Sequence, residues 1–225
     1  MKPIRIITAT ALFDGHDVSI NLFRRLLQRV GCEVIHLGHS RSVHEVVTAA
    51  IQEDADGVLV SSYQGGHNEY YQYLVDKLKE ESSIRIPVFG GGGGVILPSE
   101  IEALEKYGVE RIYHAEEGRK LGIEGIIKDI IDRINSARKT NKLPDTAISS
   151  LSTGKPIVLS RLITLLENSS TTPELLEKIS SASSRCKGVV LGITGTGGSG
   201  KSSLTDELVC RLLKVSSDAT VAILA

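Results

Sequence analysis

Residues 4–30 read IRIITATALFDGHDVSINLFRRLLQRV. The opening half, Ile4–Thr10, is a run of β-branched and small residues that suits a strand covered on both faces. From about Asp17 to Val30 the pattern changes: Ile20, Phe23, Leu27 and Val30 recur at helical spacing, and Gly31 supplies the stop. A buried strand leading directly into an amphipathic helix is half of a βαβ crossover. This stretch therefore predicts a parallel sheet wrapped by helices.

The same unit recurs downstream. Further strands are expected at Glu33–Leu37, Gly57–Ser61, Ile86–Phe89 and Arg111–Tyr113. A second helix opens at Ser42, with Glu45 three residues later as a capping box, turns Val43, Val46, Val47 and Ala50 inward and ends near Glu53. A third covers about Glu69–Glu81 and a fourth starts behind Pro98-Ser99. A fifth runs from about Lys120 to Arg138, with Ile123, Ile126, Ile127, Ile130, Ile131 and Ile134 inward. Five βα units predict an open α/β fold, a flavodoxin-like, Rossmann-like sheet of five parallel strands; a barrel needs eight.

From Lys139 the texture turns to Thr-Asn-Lys-Leu-Pro-Asp and then to Ser/Thr-rich segments, with short helical patterns at about Lys155–Glu167 and Pro173–Ser181. Strand character resumes at Gly188–Thr194, followed by a glycine loop, a helix over Lys201–Leu213 and a last apolar run, Thr220–Ala225. The expected division is a first domain over 1–138, a linker with short helices over 139–187, and a second domain over 188–225. One β-α-β unit cannot cover both faces of its own sheet, so the second domain is expected to be a truncated start.

Across 225 residues, 26 basic and 27 acidic side chains leave a net charge of −1. That gives no bulk field for nucleic acid or an anionic membrane, and neither is an expected partner. No apolar run approaches the ~18 residues of a membrane span, and the N-terminus lacks a secretory-type boundary. Cys32, Cys186 and Cys210 form no C-x-x-C pair, which suits a reducing, cytoplasmic setting.

Ligands of open α/β sheets bind outside the carboxyl ends of the strands, where the strand order reverses. Three unusual loops fall there: Asp14-Gly15-His16-Asp17 after the first strand, Ser61-Ser62-Tyr63-Gln64-Gly65-Gly66-His67 after the third, and Gly90–Gly94 after the fourth. Each alone has a plainer reading, Asp14 as a helix cap or the glycines as a flexible turn. His36, His39 and His67 also lie near strand ends but without metal-ligand spacing. His44 and His114 read as surface or loop residues; Tyr70, Tyr71 and Tyr73 at helical spacing read as core and rim.

A separate motif, Gly195-Thr196-Gly197-Gly198-Ser199-Gly200-Lys201-Ser202, matches G-x-x-x-x-G-K-[ST] between an apolar strand pattern and a helix. Backbone N–H groups cradle phosphates in such a loop, Lys201 neutralises the β/γ-phosphates and Ser202 ligates Mg. The motif leaves GTP and ATP undistinguished. Cys210 is expected in the core of the following helix.

Together the three crevice loops resemble the cobalamin-binding domain of the methylmalonyl-CoA mutase type, whose pattern runs Asp-x-His-x-x-Gly, then Ser-x-Leu, then Gly-Gly. Here the elements are Asp14 to Ser19, Ser61-Ser62-Tyr63 and Gly91-Gly92, continued by Gly93 and Gly94. Ser19 stands where the pattern has glycine and Tyr63 where it has leucine. The resemblance implies that His16, oriented by Asp14, ligates the cobalt of adenosylcobalamin in place of the cofactor's own base. The displaced nucleotide tail would then enter a cleft, with Ser61 bonding to it and the glycines making room. Gly15, Asp17, Ser62 and Tyr63 complete the implied cofactor-binding set.

Residues 188–225 resemble the start of the G-protein chaperones that serve such mutases. The order of the two segments is that of the fused acyl-CoA mutases of the isobutyryl-CoA type. What this implies is a 1,2-rearrangement of an acyl-CoA with adenosylcobalamin, Mg and GTP as cofactors, in a protein that forms homo-oligomers when whole, this segment itself carrying no catalytic residue. Two other readings stay open: a non-catalytic cobalamin carrier or regulatory module attached to a P-loop NTPase, and a P-loop NTPase whose flavodoxin-like domain binds no cofactor.

Overall fold

The computed structural model describes residues 2–82, 84–141, 156–184 and 188–224. Its first unit, residues 1–179, holds five parallel strands: β1 (Arg5–Ala11), β2 (Glu33–Arg41), β3 (Gly57–Ser61), β4 (Val88–Gly91) and β5 (Arg111–Tyr113). They lie in the order β2-β1-β3-β4-β5, all neighbours parallel. This is the flavodoxin-like arrangement, with the order reversing between β1 and β3, so the loops leaving those strands part and open a crevice. Strand β4 sits two residues later than expected, because the stretch before it carries Pro87, which has no N–H to give a central ladder. Strand β2 continues past Leu37 to Arg41, with register shifts against β1 and left-handed backbone at Gly38 and Ser40.

Alternation along the strands builds two cores. Ile7, Ala9, Val58, Val60 and Val88 face one side; Ile6, Leu59 and Phe89 face the other. The first side is covered by α2 (Val43–Gln52), α3 (His67–Glu81) and α4 (Pro98–Tyr107). The second is covered by α1 (Val18–Arg29) and α5 (Ala115–Thr140). The α2 capping box forms as expected: Glu45 N donates to Ser42 Oγ and Ser42 N to Glu45 Oε2. That Ser42 N–H, and then the Arg41 guanidinium, push the Glu45 carboxyl down to about 2. Val30 is 55% exposed because it caps α1 beyond the helical stripe.

Helix α5 starts at Ala115, not near Lys120, and bends at Gly122 (φ 67°, ψ 164°). That backbone is accessible essentially to glycine alone. The break shifts the helical phase, so Ile126, Ile127, Ile130 and Ile134 are buried and Ile131 packs beside them, while Ile123 stands 42% exposed.

Helices α6 (Pro156–Glu167) and α7 (Pro173–Ser183) follow. Of the expected linker, residues 142–155 and 185–187, among them Lys155 and Cys186, lie outside the described residues. Helix α6 is built into the core: Ile157, Val158 and Leu162 are buried with the apolar face of α2. Ser160 Oγ donates to Ile51 O at 2.6 Å. Beneath it the fully buried Asp54 carboxylate takes Lys2 Nζ at 2.7 Å and Arg161 Nη1 at 3.0 Å.

The second unit, residues 180–225, contains α8 (Lys201–Val215). The expected strand over Gly188–Thr194 does not form, and no ladder forms in the described part of Thr220–Ala225. Val189 and Val190 are 96% and 95% exposed, leaving the segment without a neighbour strand to bond. Cys210 is exposed instead of buried, since α8 has no covering sheet and buries no residue among those described. Among the described residues no helix is long and apolar enough to cross a membrane.

Replacing Leu162 by Ala should lower the stability of the first unit by about 2–5 kcal/mol in urea denaturation, as truncation of a packed leucine does. Leu159→Ala, at a half-exposed position on the same helix, should stay within about 0.5 kcal/mol. Equal midpoints for both variants would show that α6 is not part of the core.

Candidate functional site

The crevice at the carboxyl ends of β1 and β3 is organised by one side chain. Asp14 is 1% exposed and its carboxylate collects three contacts: His16 N to Oδ1 at 2.9 Å, His16 Nδ1 to Oδ1 at 2.8 Å, and Tyr63 N to Oδ2 at 2.6 Å. Its backbone is held as firmly. Asp14 N donates to Ala11 O, while Asp14 O accepts from Thr10 Oγ1 and from Ser40 N. Thr10 Oγ1 in turn accepts from Ser40 N at 2.9 Å. The loops after β1 and β3 and the end of β2 thus meet at Asp14. The residue before it, Phe13, carries left-handed backbone (φ 64°) and is 84% exposed.

With a carboxylate against Nδ1, the proton of a neutral His16 ring belongs on Nδ1 and leaves Nε2 as a bare electron pair. The His16 side chain is 76% exposed, with the Tyr63 ring 5.6 Å away, so that nitrogen faces outward, available to a metal. Asp14 is not a helix cap: α1 starts after Asp17, whose side chain makes no capping bond.

Beside His16 a cleft of about 270 Å³ opens between α1 and α5. Its floor is Gly90–Gly93 and its walls include Ile20, Phe23, Leu59, Ile123 and Ile126. Ser19 Oγ and Ser61 Oγ lie 3.2 Å apart on its lining. Two floor glycines are required by close approach: a Cβ on Gly92 would stand 2.1 Å from Ser62 O, and one on Gly90 2.5 Å from the Tyr71 hydroxyl. That hydroxyl donates to Val60 O, and burial pushes its pKa up. Gly15 and Gly94 border open space. Ser62 is fully buried, its hydroxyl without a partner among the described residues, and acts through its backbone.

The other histidines are dispersed. His36 Nδ1 lies 3.0 Å from Thr8 Oγ1, with burial lowering its pKa; His67 lies 3.1 Å from Glu100 and bonds Gln64 O; His39 and His44 are exposed. Tyr70 and Tyr71 are core and Tyr73 is exposed. His114 is a half-buried loop residue, as expected. It caps α5, accepting Glu116 N at Nδ1, and lines the cleft together with Arg119. Both follow β5, so the carboxyl-end rule that singled out the loops after β1, β3 and β4 reaches them as well.

In the second unit, the loop Gly195–Ser202 leads into α8 with left-handed backbone at Gly198 and Gly200. Lys201 Nζ folds back onto the loop, donating to Gly195 O at 2.9 Å and Thr196 O at 2.7 Å.

Residues 4–119 match the B12 binding domain family. The chain belongs to this family. Residues 159–225 match the methylmalonyl-CoA mutase-associated GTPase MeaB. A fused isobutyryl-CoA mutase of Cupriavidus metallidurans is 51% identical over 216 residues, 96% of this chain and 20% of that protein. The chain therefore spans about a fifth of the length of that relative. The 2-hydroxyisobutanoyl-CoA mutase small subunit of Aquincola tertiaricarbonis is 34% identical over 111 residues, 49% of this chain and 79% of that subunit. Among solved structures, a cobalamin-binding protein from Desulfitobacterium hafniense is similar at 26% identity and TM-score 0.47, over 59% of this chain and 60% of that one. For a B12-binding domain the donor set fits: an outward imidazole nitrogen backed by a carboxylate, beside a mostly apolar cleft with no room for a side chain at Gly90 and Gly92.

Gly92→Ala should destabilise the first unit by about 1–3 kcal/mol, because the blocking atom is a backbone oxygen that cannot swing aside. Gly94→Ala, which meets open space, should unfold within about 0.5 kcal/mol of the parent. Urea denaturation with near-ultraviolet circular dichroism separates the two, and equal losses would mean that the floor is not tightly packed.

Proposed function

We propose that this chain is the cobalamin-binding and GTPase-proximal part of an adenosylcobalamin-dependent acyl-CoA mutase of the isobutyryl-CoA type. The observation that carries the reading is the Asp14–His16 pair, its free nitrogen turned outward beside the glycine-floored cleft, in a chain so similar to a fused isobutyryl-CoA mutase. His16 Nε2 would ligate the cobalt of the cofactor. Asp14 holds the Nδ1 proton, fixes the tautomer and raises the basicity of the ligating nitrogen. The cleft takes the displaced nucleotide tail, with Ser61 at its wall and Gly91–Gly93 at its floor; Gly15, Asp17, Tyr63 and Gly94 shape the rim.

When bound, the cofactor supplies the radical chemistry of the carbon-skeleton rearrangement; the protein binds and orients it. The substrate acyl-CoA is bound by other parts of the whole protein, which we take to be a cytoplasmic homo-oligomer. The loop Gly195–Ser202 binds GTP, with Ser202 on Mg, and Lys201 exchanges its two carbonyl partners for phosphate oxygens.

Titration with adenosylcobalamin, followed by visible absorbance, should give the spectrum of a His-ligated corrinoid in the parent and not in His16→Ala. Asp14→Asn should weaken binding by about 10–100-fold, as loss of a group orienting a metal ligand does. A parent-like spectrum in His16→Ala would rule out the ligand assignment. In the full-length protein, Lys201→Ala should abolish GTP hydrolysis while leaving the corrinoid spectrum intact; retained turnover would remove the role given to the loop.

A further inference from the structure

Most of the lining of the cleft beside His16 is apolar side chain or glycine; Ser19, Ser61, Tyr63 and Tyr113 add polar side chains, and His114 and Arg119 line it where α5 begins. Among the residues lining the cleft, Arg119 is the one with a formal charge. Its guanidinium is in no ion pair recorded for the described residues, although acids lie close in sequence. Glu117 is taken by Arg111, and Arg111 also holds Glu105. His114 stands nearby with Nδ1 accepting Glu116 N, so a neutral ring carries its proton on Nε2 and offers a second donor. The bend at Gly122 separates this polar segment from the isoleucine stripe, so the one helix gives the cleft a cationic wall before the bend and an apolar wall after it.

An apolar slot with a cation at its rim fits a ligand with a flat apolar group at one end and a single negative charge nearer the opening. A cobalamin nucleotide tail has that form: an aromatic base, a ribose and a phosphodiester that joins them to the corrin. We propose that Arg119, assisted by His114, binds the phosphodiester of the tail and makes the site select corrinoids that carry a nucleotide. This rests on the reading that the cleft receives the tail. A guanidinium suits the task because its planar fork can give two parallel N–H bonds to a phosphate.

The test compares two corrinoids, cobalamin and cobinamide, the second having the same ring without the nucleotide. Affinities of both are measured by absorbance titration for the parent and for Arg119→Ala, Arg119→Lys and Arg119→Glu. Arg119→Ala should weaken cobalamin by about tenfold or more, the loss expected for a charged hydrogen bond, and leave cobinamide within about twofold. Arg119→Glu should be weaker still and Arg119→Lys intermediate, with the thermal midpoints of the unliganded variants unchanged because Arg119 is exposed. Unchanged cobalamin affinity in Arg119→Ala, or equal losses for both corrinoids, would overturn the assignment of Arg119 while leaving His16 as ligand. A parent that binds neither corrinoid, or binds both equally, would overturn the tail-cleft reading as well.

Discussion

A buried carboxylate has to find donors, and in this fold Asp14 finds them on its own loop and on the loop after β3. Its oxygens take the backbone N–H of His16 and of Tyr63, and its carbonyl takes Ser40 N–H. Removing those donors would leave a charge stranded out of water, which is costly enough to keep the loops closed on one another. The position of His16 follows from that constraint. Its ring is exposed and could rotate freely, yet the Nδ1 contact to Asp14 leaves one orientation and one tautomer. The strain at Phe13 is local and is offset by bonds on both sides of it, including Phe13 N to Ser40 Oγ.

The cleft depends on the same frame. Ser62 follows directly from the strand that ends at Ser61, and its carbonyl occupies the space that a side chain on Gly92 would need. Ser62 N donates to Gly91 O, so the loop after β3 and the floor after β4 are fixed together. Glycine is therefore a packing requirement at Gly90 in β4 and at Gly92 just after it, while Gly94 is not constrained by neighbours. Ligand geometry and cleft shape are consequences of one hydrogen-bonded rim.

Much of this could be read from residues alone, and the reasons for the failures are physical. Gly57–Ser61 and Arg111–Tyr113 were legible to the residue because short apolar runs between turn signals have few alternatives. The onset of α5 was not, because Ala115 to Leu121 is polar and carries Gly118 and then Gly122, which interrupts the stripe that announces a helix. Gly188–Thr194 has the composition of a strand, but a strand needs a neighbour to accept its bonds, and composition is silent about neighbours. Cys210 failed for the same reason. The pairing of Asp14 with His16, two residues apart, was legible through the resemblance of their motif; the donation from Tyr63, 49 residues away, was visible only in three dimensions.

The GTPase family match begins at residue 159, inside α6, whose apolar face completes the core of the cobalamin-binding unit. The stretch matched by the GTPase family and the first packed unit therefore overlap along the chain, from residue 159 to residue 179. Because Leu162 covers α2 and Arg161 pairs with Asp54, exchanging the chain from residue 159 onward would strip the first unit of part of its interior.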